Sequence, residues 1–347
     1  MLSLNESIDV LSPFIHVNTV VQYTTGIVST VIGLFLSVVV YRHTPDAFIN
    51  RRISILFHIS GCITHSVIYS SAQFVPLCTH NLVIYGGLLG GWGTATCSVL
   101  YIAWISNMAY MSTSALTSAF IHYFDITQGI RQQSRFFEWY SNLSVSNRRV
   151  LITILNSFVA LTTAVTIYFS IQWSESGESS NSQLAFIFMR SPDNIIKILG
   201  SSFICFSTCY LALVIYVNHT VKAQLSMMEP SLSPSTCEIL YHMTRLFFAF
   251  TLAPATGFFL PTAIYFTANY LVPSWISTAS LLLTFTVIPH VLYVAYPFTV
   301  YLLVIVSSKQ YRIELRRALR KPFVLLRRRN RRISIYPGTD TQIKTGM

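Results

Sequence analysis

Residues 246–308 read LFFAFTLAPATGFFLPTAIYFTANYLVPSWISTASLLLTFTVIPHVLYVAYPFTVYLLVIVSS and contain no Asp, Glu, Lys or Arg. A second run, Ile53 to Phe124, is equally free of charge. Soluble folds must return to water every few turns, so uncharged runs of this length belong in lipid. Working outward, charged residues make up only 10% of the 347-residue chain, where about 25% is usual. Soluble enzymes, collagenous chains and disordered chains are excluded, and the chain reads as an all-α, polytopic membrane protein.

A membrane helix needs about 20 apolar residues. On that measure spans fall near Val20–Tyr41, Ile53–Val75, Val150–Ile171, Asn194–Val217, Tyr241–Thr267 and Ser274–Val306. Leu82–Phe124 is ambiguous. Its glycine-dense start, Gly86 to Gly93, disfavours helix, so it is read as an apolar outer loop followed by one span, Ala95–Phe124. The result is a seven-helix bundle over 20–306, with residues 1–19 extracellular and a basic cytoplasmic tail, 307–347. Charge parity supports the orientation. With the N-terminus outside, the inner segments 42–52, 125–149, 218–245 and the tail hold 3, 4, 2 and 12 basic residues, 21 of the 23. That is the positive-inside bias; an eighth crossing would break it. Since twelve of the basic residues follow Ser308, the net charge of +11 belongs to a tail and gives no reason to expect nucleic acid.

The apolar segments hold almost no ionisable groups, which argues against ion-coupled transport and proton pumping. A pocket among Tyr, Phe, Ser, Thr, His and Met suits a small, neutral or apolar ligand; His65 and Tyr265 are the pocket candidates. His58 and His65, seven apart, share a face of the second helix; interhelical hydrogen bonding is the leading reading and ligand contact the other. His122 and His290 are read in the same way. No nucleophile elbow, HExxH pair, P-loop or paired carboxylates occur, so nothing points to an enzyme, a metal or a cofactor. The six cysteines lack a CxxC pair and read as packing residues. Pro254 and Pro261 in the sixth span, and Pro289 and Pro297 in the seventh, each remove a backbone hydrogen bond. They are either static kinks or hinges for the inner halves of those helices, with Pro254, Pro261 and Pro297 the hinge candidates.

These features resemble a known family. The segment Arg245-Leu246-Phe247-Phe248-Ala249-Phe250-Thr251-Leu252-Ala253-Pro254, followed by Pro261, resembles the two-proline sixth helix of nematode serpentine chemoreceptors, the Str-type group of seven-transmembrane G-protein-coupled receptors. So does Tyr296-Pro297-Phe298-Thr299-Val300-Tyr301, with Tyr311-Arg312 beyond it. The resemblance implies detection of a small molecule at the outer half of the bundle. It also implies coupling to a heterotrimeric G protein at the inner face, in the plasma membrane of a sensory cilium. His122, Asp125, Arg245 and Arg312 are then the cytoplasmic coupling candidates. The chain departs from the rhodopsin-like pattern in ending its third helix with His122-Tyr123-Phe124-Asp125. Its outer loop 172–193 also has no cysteine to pair with Cys97, leaving Cys78 as a possible partner. The competing classes are a seven-helix ligand-gated odorant channel of inverted topology and a structural membrane protein without signalling.

Asn5-Glu6-Ser7 forms a glycosylation acceptor on the predicted outer face. Lys309–Lys321 has helical period, with Tyr311, Leu315 and Leu319 on one face beside an arginine stripe. It reads as a short amphipathic eighth helix (309–321) on the anionic inner leaflet. Arg331-Arg332-Ile333-Ser334 makes Ser334 a phosphorylation candidate. A phosphate there adds about −1.5 to −2 charges to a basic tail and should loosen it from the leaflet. A Ser334→Glu tail peptide is therefore expected to bind anionic vesicles more weakly than the unaltered peptide in a sedimentation assay; equal binding would refute the switch.

Overall fold

The computed structural model describes residues 4–44, 49–77, 82–127, 139, 142–171, 177–178, 185–188, 194–268, 278–307 and 311–317. Among these, seven long helices dominate: α1 (Leu4–His43), α2 (Ile49–Ala72), α3 (Thr94–Thr127), α4 (Val145–Ser170), α5 (Asn194–Met228), α6 (Pro234–Pro254) and α7 (Ala279–Ser307). α6 passes through a π-turn, Ala255–Phe259, into a further helical segment, Leu260–Phe266. Residues 311–317 form a short eighth helix, α8. A helix meets all its interior backbone hydrogen-bonding needs within itself, which is why long apolar segments take this form in lipid. Six of the helices, α1, α2, α4, α5, α6 and α7, are long and apolar enough to cross a membrane. The chain is a helical, multi-pass membrane protein.

α3 falls outside that set and lies among other helices. It packs against α2, α4, α5 and α6, and several of its hydroxyls bond within the helix. Ser106, Ser112, Thr113, Thr117 and Ser118 each donate to the carbonyl one turn earlier. A helix enclosed by others can carry such residues, whereas one facing lipid tails gains from being greasier. α4 is the contrasting case: Val150, Ile154, Phe158 and Leu161 are all exposed along it.

Residues 4–19, placed ahead of the first span by sequence, continue the helix of that span. At 1.5 Å per residue the 40 residues of α1 reach about 60 Å, well beyond a core of about 30 Å. Pro13 interrupts only the bond to the carbonyl of Asp9, an exposed residue. Burial holds the extension in place: Leu11, with Ile8, Phe14 and Ile15, packs against Val75, Leu77, Ile84, Tyr265 and Leu282.

The sequence reading treated the outer connections as loops; the structure places a small antiparallel sheet there. Strands β1 (Val75–Leu77), β2 (Leu82–Tyr85), β3 (Gly177–Glu178) and β4 (Ala185–Phe188) are ordered β1-β2-β4-β3. β1 pairs with β2 through Val75↔Ile84, and β2 with β4 through Leu82↔Phe188. Strands of three or four apolar residues are indistinguishable from helix by period, hence the difference. The glycine-dense segment is non-α as expected, a 3-10 turn over Gly87–Trp92. The sheet caps one end of the bundle. At the other, Thr44 and His43 at the end of α1 meet Tyr311 and Glu314 of α8. The start of α1 and α8 therefore lie at opposite ends.

Helices α6 and α7 meet at Gly257, inside the π-turn, where the Tyr296 ring lies against bare backbone and a Cβ would overlap it. Overpacking of this kind costs about 1–3 kcal/mol. A Gly257→Val chain is expected to unfold at lower temperature in detergent, and a Gly257→Val, Tyr296→Ala double variant to recover part of the loss; an unchanged melting temperature for Gly257→Val would contradict the packing.

Candidate functional site

The centre of the bundle is a polar and aromatic network drawn from α1, α2, α3, α6 and α7. His65 on α2 occupies the middle, fully buried. The indole N–H of Trp104 (α3) donates to its Nδ1 at 2.8 Å. Its Nε2 lies 2.9 Å from the carbonyl oxygen of Tyr293 (α7). Indole N–H only donates and a carbonyl only accepts, so His65 is neutral and carries its proton on Nε2. His290 (α7) is the second node. Its Nδ1 meets the Tyr69 hydroxyl at 2.7 Å, and its Nε2 is shared by Gln22 at 3.1 Å and Asn18 at 2.5 Å, both on α1. His58 pairs with Tyr296 at 3.1 Å. All three histidines bind across helices, the first of the two uses that sequence allowed.

Aromatic rings fill the space around these bonds. Tyr69 stacks on Trp104 with centroids 4.7 Å apart and on His65 at 5.4 Å. Phe74 and Tyr293 close on the indole at 5.9 and 5.1 Å. Each such pair adds about 0.5–1.5 kcal/mol beyond area burial.

The network also serves the backbone. Pro297 has no N–H, so the carbonyl four residues earlier, that of Tyr293, loses its helical partner. His65 is the group that donates to it. A similar repair occurs on α6. The N–H of Ala255 goes to Leu252 instead of Thr251, and the Tyr210 hydroxyl (α5) donates to the Thr251 carbonyl at 2.9 Å. The two irregular helices are joined as well: Tyr293 and Thr262 hydroxyls lie 2.9 Å apart. Side chains of α2 and α5 thus hold the proline-associated breaks of α7 and α6.

The remaining sequence candidates are dispersed. Tyr265 is buried in the apolar cluster beneath the sheet, apart from the main core that surrounds His65, so the two pocket candidates do not share one cluster. Pro254 and Pro261 flank the π-turn and are buried; Pro297 is buried inside a continuous α7. Arg245 is exposed on α6, and the Arg312 guanidinium donates to the carbonyl of Val306 at the end of α7. His122 and Asp125 lie in the last turns of α3, but their side chains, like that of Asn5 in the first turn of α1, lie outside the described residues. Ser334 and Cys78 lie outside them too, and Cys97 is buried. Sequence reasoning passed over Tyr69, Trp104, Tyr210 and Tyr293. One signal was available: a carbonyl four residues before a membrane proline needs a donor, and Tyr293 is one of the four positions this marks, with Phe250, Gly257 and Phe285.

At the far end from the sheet, α3, α5 and α6 enclose a cavity of about 20 Å³ lined by Ala119, Val217, Asn218, Thr244 and Phe247. α5 and α6 run past it to a short link: Ser233 caps α6 by accepting from Thr236 N–H, and Pro234 opens the helix. The inner segment expected over 218–245 is therefore mostly helix. Also at this end of the bundle, the Tyr311 hydroxyl bonds Thr44 at 2.6 Å. Thr44 spends its own hydrogen on the Val40 carbonyl, so Tyr311 is the donor; burial raises its phenol above the ordinary range and keeps the proton in place. The chain matches no protein-family model and no curated protein sequence.

Removing His65 strands a buried carbonyl, at about 1–3 kcal/mol. Pro297→Ala restores an N–H to meet that carbonyl. In a double-mutant cycle by thermal unfolding, His65→Leu is expected to cost about 1 kcal/mol less in the Pro297→Ala background. Strict additivity would show that His65 does not serve the proline break.

Proposed function

We propose that this chain is a chemosensory G-protein-coupled receptor of the nematode serpentine type. In this reading all seven long helices cross the plasma membrane of a sensory cilium, with the sheet outside and α8 in the cytosol. Basic residues support the orientation: Arg42, Arg52, Arg148, Lys222 and Arg245 sit toward the ends of helices away from the sheet. The observation that carries the proposal is the hydrogen bond from His65 to the carbonyl freed by Pro297, set within a stack of Tyr69 and Trp104.

A small neutral ligand entering among these rings would displace aromatic surface and disturb the donor that holds the α7 break. Through Tyr293 and Thr262 the change reaches α6 above its π-turn. Through Tyr296 it reaches Gly257 within that turn. A ligand that binds one arrangement of this network better than another shifts the population toward it. The inner halves of α5 and α6 around the cavity by Asn218 and Thr244, together with exposed Arg245, then form the surface for a heterotrimeric G protein. The eighth helix rests on anionic lipid beside them.

Cells expressing the chain with a promiscuous G protein are expected to give calcium responses to some members of a panel of volatile neutral compounds. Trp104→Ala should reduce the sensitivity of any response, and Arg245→Ala its amplitude, at unchanged surface expression. An epitope placed before Leu4 should be labelled in intact cells. Currents that persist without any G protein, together with an epitope accessible only after permeabilisation, would replace the receptor by a ligand-gated channel of inverted topology.

A further inference from the structure

Between α1, α2 and α7, close to the sheet, lies a cleft of about 10 Å³, lined by Gln22, Thr25, Ser29, Ser66, Tyr69 and Ser70 on its polar side. Ser66 and Ser70 are in the last two turns of α2. The floor is polar and buried: Gln22 and Ser29 are each 1% exposed. Gly26 lies between them on α1, and a Cβ there would collide with Ser70. The mouth is formed by half-buried Thr25, Ser70, Val294 and Phe298. The same helix faces continue outward in apolar side chains. Val21 and Val28 flank Thr25 at one-turn and near-one-turn spacing, Val291 precedes Val294 by three, and all three valines are exposed.

The hydrogen bonds of the lining side chains determine what the cleft can hold. Thr25 donates to the Val21 carbonyl, Ser66 to that of Cys62 and Ser70 to that of Ser66. Because the Ser66 hydrogen is spent, Ser29 must be the donor in its 2.6 Å contact with Ser66. All four hydroxyls have thus committed their hydrogens and offer only lone pairs to the cleft. Gln22 adds a carboxamide oxygen that is buried and has no hydrogen-bond partner. An orphaned amide oxygen in an apolar surround costs about 1–3 kcal/mol. A wall of acceptors without a charge selects a neutral donor. A hydroxyl also meets the carboxamide if its nitrogen is the end that faces the cleft, which an ether or a ketone does only in part.

We propose that this cleft is a lateral binding site for a neutral membrane lipid with a hydroxyl headgroup, of the sterol kind. The hydroxyl enters between Gln22 and the Ser29–Ser66 pair, and the apolar body lies along the exposed valines of α1 and α7. The volume fits a single hydroxyl and no larger headgroup. The floor is also adjacent to the central network, since Gln22 touches His290 and Tyr69 lines both. Occupancy therefore steadies α1 against α7, independently of any signalling role.

The test uses the full chain in lipid nanodiscs with a photoactivatable cholesterol probe that keeps its free 3-hydroxyl. Saturable labelling of α1 or α7 peptides is expected, displaced by cholesterol and not by its 3-methyl ether. Gln22→Leu should weaken labelling roughly tenfold, the equivalent of one buried hydrogen bond of about 1.4 kcal/mol. Thr25→Phe, which fills the mouth and leaves the floor intact, should abolish labelling without lowering the melting temperature; it decides the matter if Gln22→Leu proves unstable. Non-saturable labelling, equal competition by the methyl ether, or wild-type labelling of a folded Thr25→Phe chain would overturn the proposal and leave the cleft to water alone.

Discussion

A backbone carbonyl released inside lipid has no water to turn to, and the centre of this bundle is arranged around that constraint. Pro297 removes the partner of the Tyr293 carbonyl, and a histidine from another helix supplies the replacement. His65 does so only as the Nε2-protonated tautomer, which the Trp104 indole enforces from its other side. Proline, histidine and tryptophan, on α7, α2 and α3, thus depend on one another. Removing the histidine strands both the carbonyl and the indole N–H, and removing the tryptophan leaves the histidine Nδ1 unpaired, where the cost of that is highest.

The same economy explains the character of each helix. Where a helix is enclosed, as α3 is, Ser and Thr are tolerated because their hydroxyls fold back onto their own carbonyls. Where a helix faces outward, as α4 does, exposed Val, Ile, Leu and Phe take over. The connections at the sheet end obey a related rule. The segment between α4 and α5 has no cysteine with which to tether itself; β4 instead adds to the hairpin strand β2, and four paired residues connect the α4–α5 link to the approach to α3. Cross-strand pairs, together with Leu11 and Tyr265 packed beneath them, do the work that a covalent bridge does elsewhere.

The irregular part of α6 brings a close helix contact and a free-energy liability to one place. The π-turn between Pro254 and Pro261 allows Gly257 to meet Tyr296, and Tyr210 compensates at Thr251. A break whose partners lie on two neighbouring helices is also the element most easily biased by what those neighbours bind. The reading of the chain as a receptor rests on this coupling between the polar centre and the α6 break.

How much of this could be read from the linear chain differs by residue. Charge-free runs located the spans, because the cost of burying a charge in lipid is so large that composition alone reports it. The arginines that collect beyond one set of helix ends give an expected orientation by the positive-inside bias. Pro254, Pro261 and Pro297 marked where the helices lose bonds, since the missing N–H is a property of the residue itself. What answered those losses was not legible. His65 and Tyr293 are 228 positions apart, and Gln22 and His290 are 268 apart; only packing brings them within 3.1 Å, and nothing in the order of residues says which donor reaches which carbonyl. The strands of the sheet and the helical run of residues 4–19 were hidden for the same cause: short apolar segments fit several conformations, and burial against distant partners selects one. Sequence alone determined that this chain must live in a membrane and where its helices are weak. The tertiary structure decided how each weakness is held, because a hydrogen bond is a matter of a few tenths of an ångström between atoms that the chain itself keeps far apart.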